Sequence, residues 1–268
     1  MKILVIGAGN MGLTYAEGMS ASTLLKKEPL MILDSSPEKI KSLEKNIKYK
    51  AYLNLEECLS QADVVFLAVK PYHSTALFEK MKPLVKPEQI IVSIMAGVTI
   101  KTIQYGLNIK KVVRAMPNLP AMTNKGMTTY TATSEINATE LSNIGNLLGT
   151  TGASLYVENE NFIDASTGIS GSGPAYVFYF MESMMEAAFK MGFTHEESRM
   201  LVSNTFEGAT AIFNQSDISA KEWMDRVASK GGTTEAALNS MKNNQVKKFI
   251  EEAAFAAYHR AIELGKEK

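Results

Sequence analysis

Ile3-Leu4-Val5-Ile6-Gly7-Ala8-Gly9-Asn10-Met11-Gly12 is the stretch on which the reading of this chain turns. The branched apolar run from Ile3 to Ile6 is what a parallel strand buried on both faces requires. It leads straight into a G-x-G-x-x-G turn and then into a helical pattern. Gly7 permits the tight strand-to-helix turn, Gly9 lets backbone approach a pyrophosphate, and Gly12 lets helix and strand pack closely. Free N–H groups and the dipole at the helix start then hold phosphate charge, so Gly7, Ala8, Gly9, Asn10 and Met11 are candidate cofactor contacts. Glycine-rich turns are common, and context decides. Here the next apolar run, Leu30-Met31-Ile32-Leu33, ends at Asp34, the acidic residue that a dinucleotide-binding unit needs for a ribose hydroxyl.

Outward from this unit the alternation continues. A helix runs from Gly12 to about Met19. Ser36 and Pro37, as N-cap and first-turn proline, open a helix with Ile40, Leu43 and Ile47 inward. A short strand near Lys50–Tyr52 precedes Asn54 and Glu57, spaced as a capping box for another helix. Strands are expected over Asp63–Val69, Gln89–Met95 and Lys111–Met116, with helices over Ser74–Lys82 and Thr99–Leu107. Such β-α-β alternation with short connections predicts a doubly wound parallel sheet. Met127–Thr133 and Ser154–Val157 read as added edge strands flanking a helix over Asn137–Leu148. Past about Glu158 only helical periodicity remains: Pro174–Met191, Thr194–Phe213, Ser219–Ala228, Thr233–Asn243 and Lys247–Leu264, with Gly192 and Gly265 as stops. The expected domains are therefore 1–158, binding a dinucleotide, and 159–268, all-helical. Tyr176-Val177-Phe178-Tyr179-Phe180-Met181 leaves little polar face, which favours a helical dimer interface over a thick intrachain core.

Composition narrows the function. The chain has 268 residues, 46% of them hydrophobic, and 28 basic residues balance 28 acidic ones, so no global field recruits nucleic acid or an anionic membrane. No apolar run reaches the roughly 20 residues that span a bilayer, and the N-terminus lacks a signal-peptide pattern. The single cysteine, Cys58, reads as packing and fits a reducing cytoplasm. The three histidines have no ligand-like spacing, so no metal is expected.

Ligands of an open α/β sheet sit beyond the carboxyl ends of its strands. That makes Asp34, Ser35, Ala68, Val69, Lys70 and Pro71 further candidates, along with Ala96-Gly97 and Met116-Pro117-Asn118. Lys70 either meets the cofactor or is a solvated loop lysine; Arg114 either binds an anion or, the favoured reading, pins its loop. Two glycine- and hydroxyl-rich turns open helices in the second half: Ser170-Gly171-Ser172-Gly173-Pro174 and Ser229-Lys230-Gly231-Gly232-Thr233-Thr234. Each could present backbone N–H groups to a carboxylate. Two glycines followed by two threonines exceed what capping needs, which favours a ligand at the second; at the first, close helix packing competes.

These segments, with Arg114-Ala115-Met116-Pro117-Asn118-Leu119-Pro120 between them, occur in an order and at separations that resemble pyrroline-5-carboxylate reductase over essentially the whole chain. The resemblance implies a Rossmann domain followed by a helical domain that interlocks into a homodimer, with larger rings in some members. It implies reduction of the cyclic imine 1-pyrroline-5-carboxylate to L-proline by NADPH or NADH, the last step of proline biosynthesis. It places the substrate carboxylate at Gly231, Gly232, Thr233 and Thr234, gives the Thr234 hydroxyl the ring nitrogen and the catalytic role, and matches Asn54, Ala68, Lys70 and Pro71 to cofactor contacts. One departure stands out: Lys230 replaces the family's proline, freeing a backbone N–H and loosening the turn. On local physics Asp34 favours NADH by repelling a 2′-phosphate, although Ser35, Ser36 and Lys39 offer that phosphate partners. Rival readings are an imine reductase of different substrate range and a non-catalytic NAD(P) sensor. A β-hydroxyacid dehydrogenase is weak, because the helix from Pro174 has no lysine before Lys190.

Overall fold

The computed structural model describes residues 1–25 and 28–266. They divide into two compact units: Met1–Ser172, completed by the chain from Ala256 onward, and Gly173–Phe255.

The first unit is built on one eight-stranded sheet: β1 (Ile3–Ile6), β2 (Leu30–Leu33), β3 (Tyr49–Tyr52), β4 (Val64–Leu67), β5 (Ile90–Ser93), β6 (Val112–Met116), β7 (Gly126–Ala132) and β8 (Gly152–Tyr156), in the order β3-β2-β1-β4-β5-β6-β7-β8. The first six strands pair in parallel. The connection from β6 to β7 is too short for a crossover, so β7 returns antiparallel; of the two strands expected at an edge, β7 and β8, β8 alone lies there, opposite β3 at the other edge. The sheet is thus mostly parallel, with β7 inside it and not at its rim.

Strand alternation sends residues to both faces. Val5, Ile32, Phe66, Val92 and Val113 join one core with Tyr15 of α1 (Asn10–Ala21) and Ile144 of α5 (Ala138–Leu148). Leu4, Met31, Val65, Leu67 and Ile91 join the other with Phe78 of α3 (Ser74–Met81) and Ile103 of α4 (Ile100–Leu107). Continuous apolar strands follow from this double cover.

Three expectations in this unit need correction. The helix α2 stops at Leu43 (Pro37–Leu43), so Ile47 falls outside its periodicity and is 91% exposed. Asn54 does not close a capping box; only a 3₁₀ turn, Leu55–Glu57, follows, and the Asn54 amide donates instead to the Glu57 carboxylate at 2.6 Å. The glycine-rich 170–173 segment is no open turn. Helix α6 (Asn161–Ser166) runs on through a π-helical stretch, Thr167–Gly171, that ends at Ser172, and α7 (Gly173–Lys190) opens the second unit. A Cβ at Gly171 would lie 3.0 Å from Met116 Cε, so its smallness serves packing.

The second unit holds α7, α8 (His195–Asn214), α9 (Ala220–Val227), α10 (Thr233–Asn243) and the start of α11 (Val246–Lys266). Gly192 is a left-handed stop, φ +107°, whereas α11 runs through Gly265 without stopping. Complete capping boxes open α8 (Thr194, Glu197) and α9 (Ser219, Glu222). Only Ser198 and Val202 of this unit are buried in a single chain. Phe178, Tyr179 and Met191 are 57%, 70% and 79% exposed. Among the described residues no helix is long and apolar enough to cross a membrane.

Candidate active site

The carboxyl ends of β1, β2, β4 and β5 open into a cleft of about 660 Å³. Its walls include Gly7, Gly9, Asn10, Met11, Asp34, Ser35, Ala68, Val69, Lys70 and Pro71. Ala8 reaches this site through its backbone N–H, which donates to Asp34 Oδ2 at 2.7 Å. Asn54 lies in an adjoining cleft of about 530 Å³ that shares Gly7, Asp34, Ser35 and Val69. The cofactor candidates named from sequence therefore converge on one end of the sheet.

The three glycines of the first turn differ as their tasks require. Gly7 has φ +104°, and a Cβ on it would meet the Ala68 carbonyl oxygen at 2.8 Å. A Cβ on Gly12 would come within 2.0 Å of the Gly7 oxygen, since α1 packs against the strand end there. At Gly9 nothing lies within 4 Å. Gly9 is also the N-cap of α1 and makes no side-chain cap bond, so the first amides of α1 are open to an anion. This cradle fits a dinucleotide pyrophosphate.

Asp34 is held from three sides: Oδ2 accepts from Ala8 and from Lys39 Nζ at 3.3 Å, and Oδ1 accepts from the Ser36 N–H at 3.0 Å. One carboxylate thus ties the end of β2 to the loop after β1. Lys39 lines the cleft as well. Sequence reasoning gave no role to His73, Leu119 and Met122, which also line it. The proline-bracketed turn after β6 was the available signal for the last two.

Arg114 pins. Nearly buried on β6, it donates to Glu160 at 2.9 Å and to Asp164 at 2.6 Å, holding α6 to the sheet. Cys58 is buried and gives its thiol to the Asn54 and Leu55 carbonyls. Burial, reinforced by Glu57 and Glu56, pushes that thiol up to about 12, which makes it a poor nucleophile.

The second candidate lies in the helical unit. Gly231 takes the left-handed conformation, φ +73°, and Gly232 is the N-cap of α10 with no side-chain cap bond. The Gly232 N–H donates to Ser229 O at 3.0 Å, and the first intrahelical bond is Ala236 N–H to Gly232 O at 3.2 Å. The amides of Thr233, Thr234 and Glu235 between them have no partner among the described residues. Helices α5, α8 and α9, by contrast, are closed by capping boxes. An uncapped helix start carries orphan N–H groups and a positive dipole end, a fit for a carboxylate. Thr234 also lines an apolar cleft of about 350 Å³ with Phe213, Trp223, Met224, Val227 and Leu238.

Comparison with known proteins places both units. Residues 160–264 match the family model described as pyrroline-5-carboxylate reductase dimerisation, and residues 2–97 the model of coenzyme F420-dependent NADP oxidoreductases. The pyrroline-5-carboxylate reductase of Pseudomonas aeruginosa is 34% identical over 267 residues, covering 99% of this chain and 97% of that one. The solved pyrroline-5-carboxylate reductase of Coxiella burnetii superposes with a TM-score of 0.91 at 29% identity over 98% of both chains. The pyrroline carboxylate reductase of Plasmodium falciparum, solved with NADP bound, superposes with a TM-score of 0.87 at 28% identity, over 99% of this chain and 98% of that one.

Proposed function

Because the chain belongs to the pyrroline-5-carboxylate reductase family, we propose that it reduces the C=N bond of 1-pyrroline-5-carboxylate to give L-proline, the last step of L-proline biosynthesis, with NADPH or NADH as reductant. When bound, the reduced nicotinamide supplies the hydride. The protein supplies position and charge. Gly7, Ala8, Gly9, Asn10 and Met11 hold the pyrophosphate at the start of α1; Asp34, Ser35 and Asn54 meet the ribose end; Ala68, Val69, Lys70 and Pro71 line the remaining wall.

The observation that carries the substrate site is the open start of α10. Gly231 and Gly232 leave room there, and the Thr233 and Thr234 amides hold the imine's carboxylate. The Thr234 hydroxyl then bonds the ring nitrogen and keeps its proton in place. A protonated iminium carbon is already electrophilic, so orientation supplies most of what remains. The nitrogen retains its own proton, so no side-chain acid is required of the protein.

This reading assigns residues 1–158 to the cofactor and 159–268 to substrate and self-association. A second copy of the chain is the occupant of the exposed apolar helices, giving a homodimer from which larger rings could be built. A cytoplasmic location follows from the biosynthetic role.

The test follows loss of reduced-nicotinamide fluorescence with NADPH and NADH in parallel, and identifies proline as product. Thr234→Val, which keeps the amide and removes the hydroxyl, lowers kcat about 100-fold with little change in cofactor binding. If the wild-type protein binds both cofactors but oxidises neither, the reading falls and a different imine, or a sensing role, takes its place.

A further inference from the structure

We infer that Glu235 is a positioning residue, holding the turn before α10 so that its amides stay aimed at the substrate carboxylate; this rests on the function proposed above. The argument starts from a displaced contact. In α8 and α9 the third helical residue folds back to the N-cap amide: the Thr194 N–H donates to Glu197 Oε2 at 2.8 Å, and the Ser219 N–H to Glu222 Oε2 at 3.0 Å. Glu235 is the corresponding residue of α10. Its Oε2 accepts instead from the Gly231 N–H at 2.6 Å, one residue further back.

Two local facts produce the shift. The Gly232 N–H is already taken by Ser229 O, so the N-cap amide has nothing left to give. Gly232 also has no side chain to bend over the first turn, so Thr233 and Thr234 keep their amides open. The displaced bond then falls on the residue that most needs one. Gly231 is exposed, left-handed, and a Cβ there would have nothing within 4 Å, so packing does not fix it. Lys230 before it imposes no φ, as a proline would. A charge-assisted bond from Glu235 restricts this freedom at low cost, because donor and acceptor sit on the same turn.

The experiment uses the full-length protein and compares Glu235→Ala with Glu235→Gln, which retains a neutral acceptor. Each variant is assayed with pyrroline-5-carboxylate and with 1-pyrroline, which lacks the carboxylate; melting temperature and NADPH Kd are measured alongside. Glu235→Ala raises KM for the carboxylate substrate about tenfold, leaves its kcat within about twofold, and does not move kinetics on 1-pyrroline. Glu235→Gln recovers most of the loss. A fall in KM overturns the inference, since Glu235 would then be competing with substrate for the amides. Equal losses on both imines with a lowered melting temperature overturn it too, leaving only a structural contact. An amide-proton measurement separates this inference from the proposed function: the Gly231 resonance lies downfield in the wild type and moves upfield in Glu235→Ala. An unmoved Gly231 resonance refutes the positioning role whatever the substrate; a moved one with no turnover of pyrroline-5-carboxylate refutes the function instead.

Discussion

Asp34 bonds both the loop after β1 and Lys39, so replacing it has two consequences of different kind. Losing the acceptor for the Ala8 amide loosens the phosphate loop and weakens either cofactor. Losing the charge removes repulsion of a 2′-phosphate and releases Lys39 towards it, which helps NADPH alone. Asp34→Ala therefore lowers kcat/KM with NADH and raises the NADPH-to-NADH ratio about tenfold; parallel titrations of both cofactors check this, and an unchanged ratio means that another residue sets the choice. Residues of this kind were legible in the sequence when their task is local. Gly7, Gly9 and Gly12 act within one turn, so their spacing together with the strand before them, the helix after them and Asp34 beyond was enough to read them. The hold of Asp34 on Ala8 and the grip of Glu235 on Gly231 depend on how the chain bends, and spacing does not record that.

Among the elements, α5 offers a pH test. Glu140 closes the capping box with Asn137 and bonds Lys111. Burial works to raise its pKa, but the Lys111 ammonium and the Asn137 amide together hold it below the ordinary carboxylate range. A carboxyl depressed in the folded state stabilises fully above its unfolded pKa of about 4.3 and loses that contribution as pH falls through the folded value. Glu140→Gln accordingly lowers the melting temperature at pH 7, and the gap to wild type closes below about pH 4; a gap independent of pH would deny the carboxylate its role. The same helix shows what patterns convey. Asn137 and Glu140 close a capping box, while Asn54 and Glu57 at equal spacing do not, because no α-helix follows them. Buried strands were readable as unbroken apolar runs. The direction of β7 was not, being set by the length of its connection, and the continuous helix through 167–171 was masked by the glycines and serines that let it widen.

For the whole molecule the deciding fact is a unit with almost nothing buried. Phe178 and Tyr179 on α7, and Met191 just past its end, lie in solvent as an apolar surface that a second copy of the chain would cover. Light scattering should give a mass at least twice the 29.4 kDa chain, and Phe178→Asp should shift the protein towards monomer with loss of activity. A wild-type protein that remains a monomer at micromolar concentration would contradict this. The crowded apolar sequence from Tyr176 to Met181 is what raised the expectation of an interface, because a helix apolar nearly all round is stable only when buried all round. The return of the chain's end to the first unit left no such mark. Gly97, in the loop after β5, faces Leu264 so closely that a Cβ there would sit 3.1 Å from the leucine's. During synthesis, then, the sheet emerges long before the residues that seal it. At about 5–20 residues per second the ribosome leaves that backbone uncovered for on the order of ten seconds. A chain interrupted before Leu264 would leave a nearly complete sheet with an unhealed surface at Gly97, and the helical turns around Leu264 act as the closing stitch of the unit that holds β1.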